Sequence, residues 1–128
     1  MTNTIAPALK SAGRPVSRPL KIAAWSLQVL LALAFLAAGG SKLAGAQPMV
    51  ETFAKIGIGQ WFRVLTGILE IAGAVALLVP RAAFFGSLLL PCVMVGAVVA
   101  HLTVLGGTPV PPAVLLALTG TVAYLRRP

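Results

Sequence analysis

The chain has few acidic residues, cysteines or histidines, and each shortage excludes a class of site. Only two residues are acidic, Glu51 and Glu70, and only Glu70 falls inside an apolar run, so no carboxylate dyad is available there. The single cysteine, Cys92, excludes an intramolecular disulfide, a CxxC redox pair and a thiolate zinc cage. The single histidine, His101, cannot supply two axial haem ligands from facing helices. We therefore expect no metal or haem site.

The composition is that of a protein whose solvent is lipid. Of 128 residues, 59% are hydrophobic and only 9% are charged, whereas soluble domains carry about 25% charged residues. The formal net charge is +8, but the basic residues lie in the first 21 positions and at the ends of apolar runs. This distribution is typical of contact with anionic lipid headgroups. We expect the lipid bilayer, and not nucleic acid, to be the partner of this surface.

Four apolar runs predict an all-α fold, an integral membrane four-helix bundle. The predicted spans are residues 22–40, 61–79, 82–105 and 110–125, and about 20 apolar residues suffice to cross a bilayer. Residues 22–128 form one membrane domain, in which Pro91 is expected to bend the third span. Residues 1–21 are basic, contain several prolines and lack an apolar period, which predicts a flexible cytoplasmic tail.

A signal peptide is an alternative interpretation of the first run. A basic leader, an apolar stretch and Ala44-Gly45-Ala46 resemble such a peptide and its cleavage site. We favour a retained span, because the run is longer than the usual apolar region of about 7–15 residues. The size of the mature protein decides between the two.

A short helix at the membrane interface is predicted between spans one and two. Pro48 suits a helix start, and Gly57 and Gly59 suit its end. Trp61 then provides an aromatic anchor where span two enters the bilayer. The helical period separates an apolar from a polar face. The apolar face comprises Met49, Val50, Phe53 and Ile56, and the polar face Glu51, Thr52 and Lys55.

The basic residues also predict the orientation, because cytoplasmic loops carry the excess of Lys and Arg. With the N-terminus inside, seven basic residues lie on the inner side and three on the outer side. The inner residues are Lys10, Arg14, Arg18, Lys21, Arg81, Arg126 and Arg127, and the outer ones are Lys42, Lys55 and Arg63. Both termini are therefore expected in the cytoplasm.

Small residues at intervals of four are expected to pack the helices together, since close backbone approach holds membrane bundles. They occur in three of the spans. They are Ala72 and Ala76; Cys92, Gly96 and Ala100; and Ala113, Ala117 and Thr121.

Glu70 is the residue most indicative of a site, since a carboxylate near the middle of a span costs several kcal/mol unless it is paired, protonated or wetted. Lys42 follows span one and His101 lies near the end of span three, on the same side of the membrane as Glu70. A polar pocket is one interpretation, and a structural ion pair that locks two helices is equally open. The candidate pocket residues are Lys42, Glu70 and His101, with Ser41, Gln60 and Trp61 at the rim.

With these residues in view, the chain resembles the DoxX-like family of small four-span bacterial membrane proteins. The resemblance covers about residues 25–125. The segments that carry it are residues 37–43 (AAGGSKL), 53–61, 67–74 (GILEIAGA) and 77–81 (LLVPR), followed by Gly96, Ala97 and His101.

The resemblance implies a bacterial inner-membrane protein with Lys42, Glu70 and His101 as the family's polar positions. Its name-giving members are associated with oxidoreductase complexes, some of which handle sulfur compounds with quinone as acceptor. It therefore implies a small accessory or subunit protein of a membrane redox system, with quinone as the candidate ligand. Related branches use paired cysteines, which are not matched here because Cys92 has no partner.

Two other functions remain open at the level of sequence. One is a structural or assembly partner for other membrane proteins, including a homo-oligomer, which the small-residue stripes favour. The other is a transporter for protons or small solutes, which a single four-span chain would need an oligomer to form. No self-contained catalytic motif is present, so activity as an enzyme on its own is not expected.

Overall fold

The computed structural model describes residues 18–128, and this part of the chain is entirely helical apart from its turns. The predicted all-α fold class is confirmed. The elements are α1 (Arg18–Ala44), α2 (Gln47–Ile56), α3 (Gln60–Leu78), α4 (Ala83–Ala100), a π-helical turn (His101–Leu105) and α5 (Val110–Arg126).

The apolar helices match the dimensions of a bilayer. Three of them are long and apolar enough to cross a membrane: Arg18–Ala44, Gln60–Leu78 and Ala83–Leu105. Helix α5 is apolar and shorter, at 17 residues, which at about 1.5 Å per residue corresponds to about 26 Å. Large apolar side chains such as Leu30, Phe85 and Leu102 point outward. A continuous apolar exterior of this kind is stable only against lipid.

Helix α1 extends beyond the predicted first span at both ends. It begins at Arg18 and ends at Ala44, so the prediction that residues 18–21 belong to a flexible tail is corrected. A helix can continue past the hydrocarbon, because its backbone hydrogen bonds are satisfied internally and its basic side chains reach the headgroups. The remainder of the predicted tail, residues 1–17, lies outside the described residues.

The short helix between the first two long helices is present as α2. Pro48 lies in its first turn, and Gly57 ends it with a left-handed φ of 81° while its N–H donates to the Phe53 carbonyl. Phe53 is buried, and its ring centroid lies 5.8 Å from that of Phe62 in α3. Glu51 and Lys55 are exposed on the opposite face. The apolar face of α2 therefore packs against the start of α3.

The long helices pack as a bundle with α3 between α1 and α4. Helix α5 packs on α4 and closes the bundle more loosely against α1. The buried core draws on all four helices, which makes them one packing unit. Its residues are Leu31, Ala32, Phe35, Ala74, Leu77, Leu90, Met94 and Val122.

Glycines set the closest approaches between helices. A Cβ built on Gly39 in α1 would lie 2.8 Å from Ile71 Cγ1 and 2.9 Å from the Gly67 carbonyl oxygen of α3. A Cβ built on Gly86 in α4 would lie 2.8 Å from the Gly73 carbonyl oxygen of α3. Helix α3 therefore meets both neighbours at backbone distance, as small residues allow in membrane bundles.

The predicted small-residue stripes are mostly not the packing surfaces. Ala76 does lie at the contact of α3 with α4, where a Cβ built on Gly86 would lie 2.9 Å from the Ala76 Cβ. The other stripe residues are largely exposed, and this prediction was wrong, because spacing by four identifies a face without showing which way it turns. The exposed ones are Ala72, Cys92, Gly96, Ala113, Ala117 and Thr121.

Candidate functional site

Lys42 and Glu70 form a salt bridge between α1 and α3. Lys42 Nζ lies 2.8 Å from Glu70 Oε1, and the two side chains are 13% and 2% exposed. Each residue lies one turn after the glycine at which the helices meet, Gly39 in α1 and Gly67 in α3. The second carboxylate oxygen, Glu70 Oε2, is buried and has no hydrogen-bond partner among residues 18–128. The close helix approach thus positions a nearly dry ion pair.

Arg63 supports this pair from the start of α3. Its guanidinium donates from Nη1 to the Lys42 carbonyl and from Nε to Gln60 Oε1, the latter at 2.8 Å. Gln60 Nε2 in turn donates to the Val50 carbonyl of α2 at 3.0 Å. Gln60 therefore links α2 to α3. Sequence reasoning placed Arg63 only in the charge count, although its spacing of three from Gln60 puts both on one helix face.

A cleft of about 710 Å³ lies between α2, α3 and the C-terminal half of α4 with its π-helical turn. We call it the α2–α4 cleft. Its walls are mostly apolar, with contributions from Phe53, Phe62, Leu65 and Val93. Few side chains with strong hydrogen-bonding groups line it, namely Lys42, Thr52, Thr66, His101 and Thr103. An apolar cavity with a few polar groups is the usual form of a small-molecule site.

The structure brings the predicted pocket residues together only in part. Lys42 and His101 both line the α2–α4 cleft, whereas Glu70 lies behind Lys42 and does not line it. No hydrogen bond joins His101 to Lys42 or Glu70 in the described part of the chain; His101 Nδ1 lies 2.8 Å from the Ala97 carbonyl oxygen. The arrangement is an ion pair with a histidine elsewhere on the cleft wall.

Two of the three predicted rim residues, Ser41 and Trp61, bond to carbonyls nearby in sequence, and the third, Gln60, joins α2 to α3. Ser41 Oγ donates to the Ala37 carbonyl of its own helix at 2.8 Å. Trp61 is 61% exposed, and its Nε1 donates to the Ile58 carbonyl at 3.1 Å. Neither side chain lines the α2–α4 cleft. Their proximity in sequence to Lys42 and Gln60 does not carry over into the site.

A second polar cluster at the opposite end of the bundle was missed from sequence. Gln28 in α1 is fully buried; its Nε2 donates to the Leu77 carbonyl of α3 at 2.8 Å, and its Oε1 accepts from Arg126 Nε of α5. The Arg126 guanidinium also lies 5.1 Å from the ring centroid of Trp25. Gln28 is the one amide in α1. The argument that singled out Glu70 applies to it as well, since a polar group in a span needs a partner.

Metal-ligating residues do not gather in the described structure. Residues 18–128 contain no group of three or more His, Cys, Asp or Glu side chains that could hold a metal ion. Cys92 is an exposed free thiol.

These features define a class, the polytopic helical membrane protein with a buried interhelical ion pair and an apolar cleft. The chain belongs to the DoxX-like family, whose model matches residues 26–122. No curated protein shows significant similarity to the chain, and neither does any solved structure.

Proposed function

We propose that this DoxX-like membrane protein is a small accessory or subunit protein of a membrane redox system, and that its α2–α4 cleft binds quinone or a similar small apolar molecule. The observation that carries the proposal is the cleft itself, with apolar walls and only a few polar side chains, Lys42 and His101 among them. Its volume of about 710 Å³ falls within the range of about 300–1,000 Å³ typical of small-molecule sites.

Access from the bilayer supports this ligand class. Leu65 and Val99 line the cleft and are 40% and 52% exposed, so the cleft opens on the lipid-facing side of the bundle. A molecule dissolved in the hydrocarbon can enter there without crossing water. In a bacterial inner membrane, the location that the family resemblance implies, the excess of basic residues on one side supports an orientation with both termini cytoplasmic.

Lys42 supplies the charged group of the proposed site. Its Nζ bonds to Glu70 Oε1, which holds the ammonium in place and compensates its charge within the bundle. Two further N–H donors remain on the ammonium for a ligand oxygen. Glu70 thus acts as a positioning residue for Lys42.

Filling the cleft tests this proposal. A Cβ on Gly96 meets nothing within 4 Å, and Gly96 lines the cleft, so Gly96→Leu should fold and occupy the cavity. We expect quinone to raise the thermal midpoint of wild-type protein in detergent. At a concentration 100 times Kd, the ligand should add about 2.7 kcal/mol to the unfolding free energy. The Gly96→Leu variant should lose this shift while its midpoint without ligand is unchanged or higher.

Gly120→Leu is the matched control. Gly120 also has nothing within 4 Å of a built Cβ, but it lies in α5, away from the cleft. This variant should retain the full quinone shift. A shift of equal size in both variants, or none in the wild type, would count against a quinone site in this cleft.

An assembly role is the second candidate, and the exterior of α5 favours it. Ala113, Ala117 and Thr121 are exposed on that helix, so a neighbouring helix can approach its backbone closely. Affinity capture from native membranes, compared between wild type and Ala117→Leu, tests this role. We expect a defined partner, or a second copy of the chain, to be captured by the wild type and by Gly96→Leu but lost in Ala117→Leu. Capture that is indifferent to Ala117→Leu contradicts the use of this face.

A further inference from the structure

The hydrogen bond of His101 determines what its ring presents to the cleft. Nδ1 lies 2.8 Å from the Ala97 carbonyl oxygen. Because a carbonyl oxygen only accepts hydrogen bonds, Nδ1 carries the hydrogen. In the neutral imidazole the other nitrogen, Nε2, then holds a lone pair, and Nε2 makes no hydrogen bond with residues 18–128. His101 therefore offers the cleft an acceptor.

The three threonines of the cleft wall also use their hydrogens within their own helices. Thr52 Oγ1 donates at 2.7 Å, Thr66 Oγ1 at 2.8 Å and Thr103 Oγ1 at 2.7 Å, each to the carbonyl four residues earlier in its own helix. A hydroxyl has one hydrogen, so these groups retain only oxygen lone pairs for a ligand. Backbone N–H groups of the helical walls are used within the helices, and Ile58 is the lining residue that lies outside them, between α2 and α3.

The hydrogen-bonding inventory of the cleft is consequently unbalanced. Among the side chains, and apart from the weak thiol donor of Cys92, the donors that remain are those of the Lys42 ammonium, whereas acceptors remain on His101 and the threonines. A ligand that carries only carbonyl oxygens can bond to Lys42 and leaves the acceptors unpaired. A ligand with a hydroxyl can bond to both kinds of group. Unpaired polar groups in an apolar site reduce affinity.

We propose that the α2–α4 cleft selects a ring compound with a phenolic hydroxyl, so that it binds the hydroquinone form in preference to the quinone. One hydroxyl donates to His101 Nε2, and the other ligand oxygen accepts from Lys42. The inference rests on the proposed function, because it concerns the ligand of the same site. The ligand that this chain holds most tightly is then the reduced form, the hydroquinone.

The test compares three ligands that share one ring and tail: the hydroquinone, the quinone and the dimethyl ether of the hydroquinone. Binding to purified full-length protein in detergent is measured without oxygen, by the ligand-dependent shift of the thermal midpoint and by fluorescence titration. We expect the hydroquinone to bind about tenfold more tightly than the quinone, as for one hydrogen bond gained. The dimethyl ether, which cannot donate, should bind no better than the quinone.

A His101 variant tests whether Nε2 of that ring is the source of the preference for hydroquinone. His101→Phe keeps an aromatic ring at the cleft wall and removes the acceptor, so the preference for the hydroquinone over the quinone should fall to within about twofold. Thr121→Val, whose hydroxyl bonds to the Ala117 carbonyl outside the cleft, is the control and should keep the full preference. The ether series in wild-type protein keeps the test decisive if His101→Phe does not fold.

The outcomes separate this inference from the function on which it rests. Equal binding of hydroquinone, quinone and ether overturns the hydroxyl selection and leaves a quinone site in place. A preference unchanged in His101→Phe overturns the proposed hydrogen bond to His101 Nε2. Absence of binding by all three ligands overturns both.

Discussion

Replacing Lys42 by methionine is expected to destabilise the protein by about 3–5 kcal/mol, because it leaves a buried charge without its partner. Glu70 is 2% exposed, and Lys42 Nζ is the one group that bonds to its carboxylate within residues 18–128. Methionine retains most of the length of the lysine side chain, so the stability lost is mainly that of the salt bridge and not of packing. Reversible unfolding in mixed detergent, followed by helical circular dichroism, measures the difference.

Three companion variants establish that the effect belongs to the pair. The first two are Glu70→Gln alone and the double variant Lys42→Met/Glu70→Gln. The double variant should lose markedly less unfolding free energy than the sum of the two single variants, since the buried charge is then gone. Glu51→Gln is the control on the chain's other acid, which is exposed and accepts a hydrogen bond from Gln47. Its effect should stay within about 0.5 kcal/mol. Strict additivity of the two single changes would show that Lys42 and Glu70 are not energetically coupled.

The second large effect is expected at the crossing of α1 and α3. Gly39→Ala adds a methyl group that would lie 2.8 Å from Ile71 Cγ1 and 2.9 Å from the Gly67 carbonyl oxygen. The backbone cannot rotate away as a flexible side chain can, so the helices must separate. We expect a loss of about 1–3 kcal/mol in unfolding free energy, typical of an overpacked interior.

The neighbouring glycine supplies the matched control. Gly40 lies in the same helix turn, and a Cβ built on it meets nothing within 4 Å. Gly40→Ala should therefore be neutral or stabilise by up to about 1 kcal/mol, because alanine is the better helix former. If both alanine variants lose the same stability, the cause is the helix itself and not its contact with α3.

The helical segments were predictable because lipid permits few alternatives. A bilayer leaves no water to satisfy a free backbone, so each apolar run of sufficient length must be a helix. Local chemistry marked several ends as well, such as Gly57 after α2 and Pro80 after α3. The rotation of each helix was not predictable in this way. Residues such as Ala72, Ala113 and Ala117 face outward, since a lipid-facing surface and an interhelical surface can both be apolar and small.

The site was predictable where a residue demanded a partner. A carboxylate inside a span requires compensation, and Lys42 was a nearby cation on the same side, so their contact followed from electrostatics. The position of the α2–α4 cleft depends on how α2 packs against α3 and the π-helical turn, which no local pattern in the sequence records. His101 was identified, but its bond to Ala97 depends on the geometry of the helix end. Gln28 could have been found by the same reasoning as Glu70, because a polar side chain inside a span needs a partner.

The salt bridge also has a consequence for how the chain enters the membrane. Taken alone, the segment that becomes α3 would carry an uncompensated carboxylate into the hydrocarbon, at a cost of a few kcal/mol. Lys42 belongs to the segment synthesised before it, and the Gly39 crossing allows the two to meet at backbone distance. If the earlier segment remains beside the later one, Lys42 lowers the cost of integrating that later segment. The order in which the helices are made is part of what allows an acid to reside in this protein's interior.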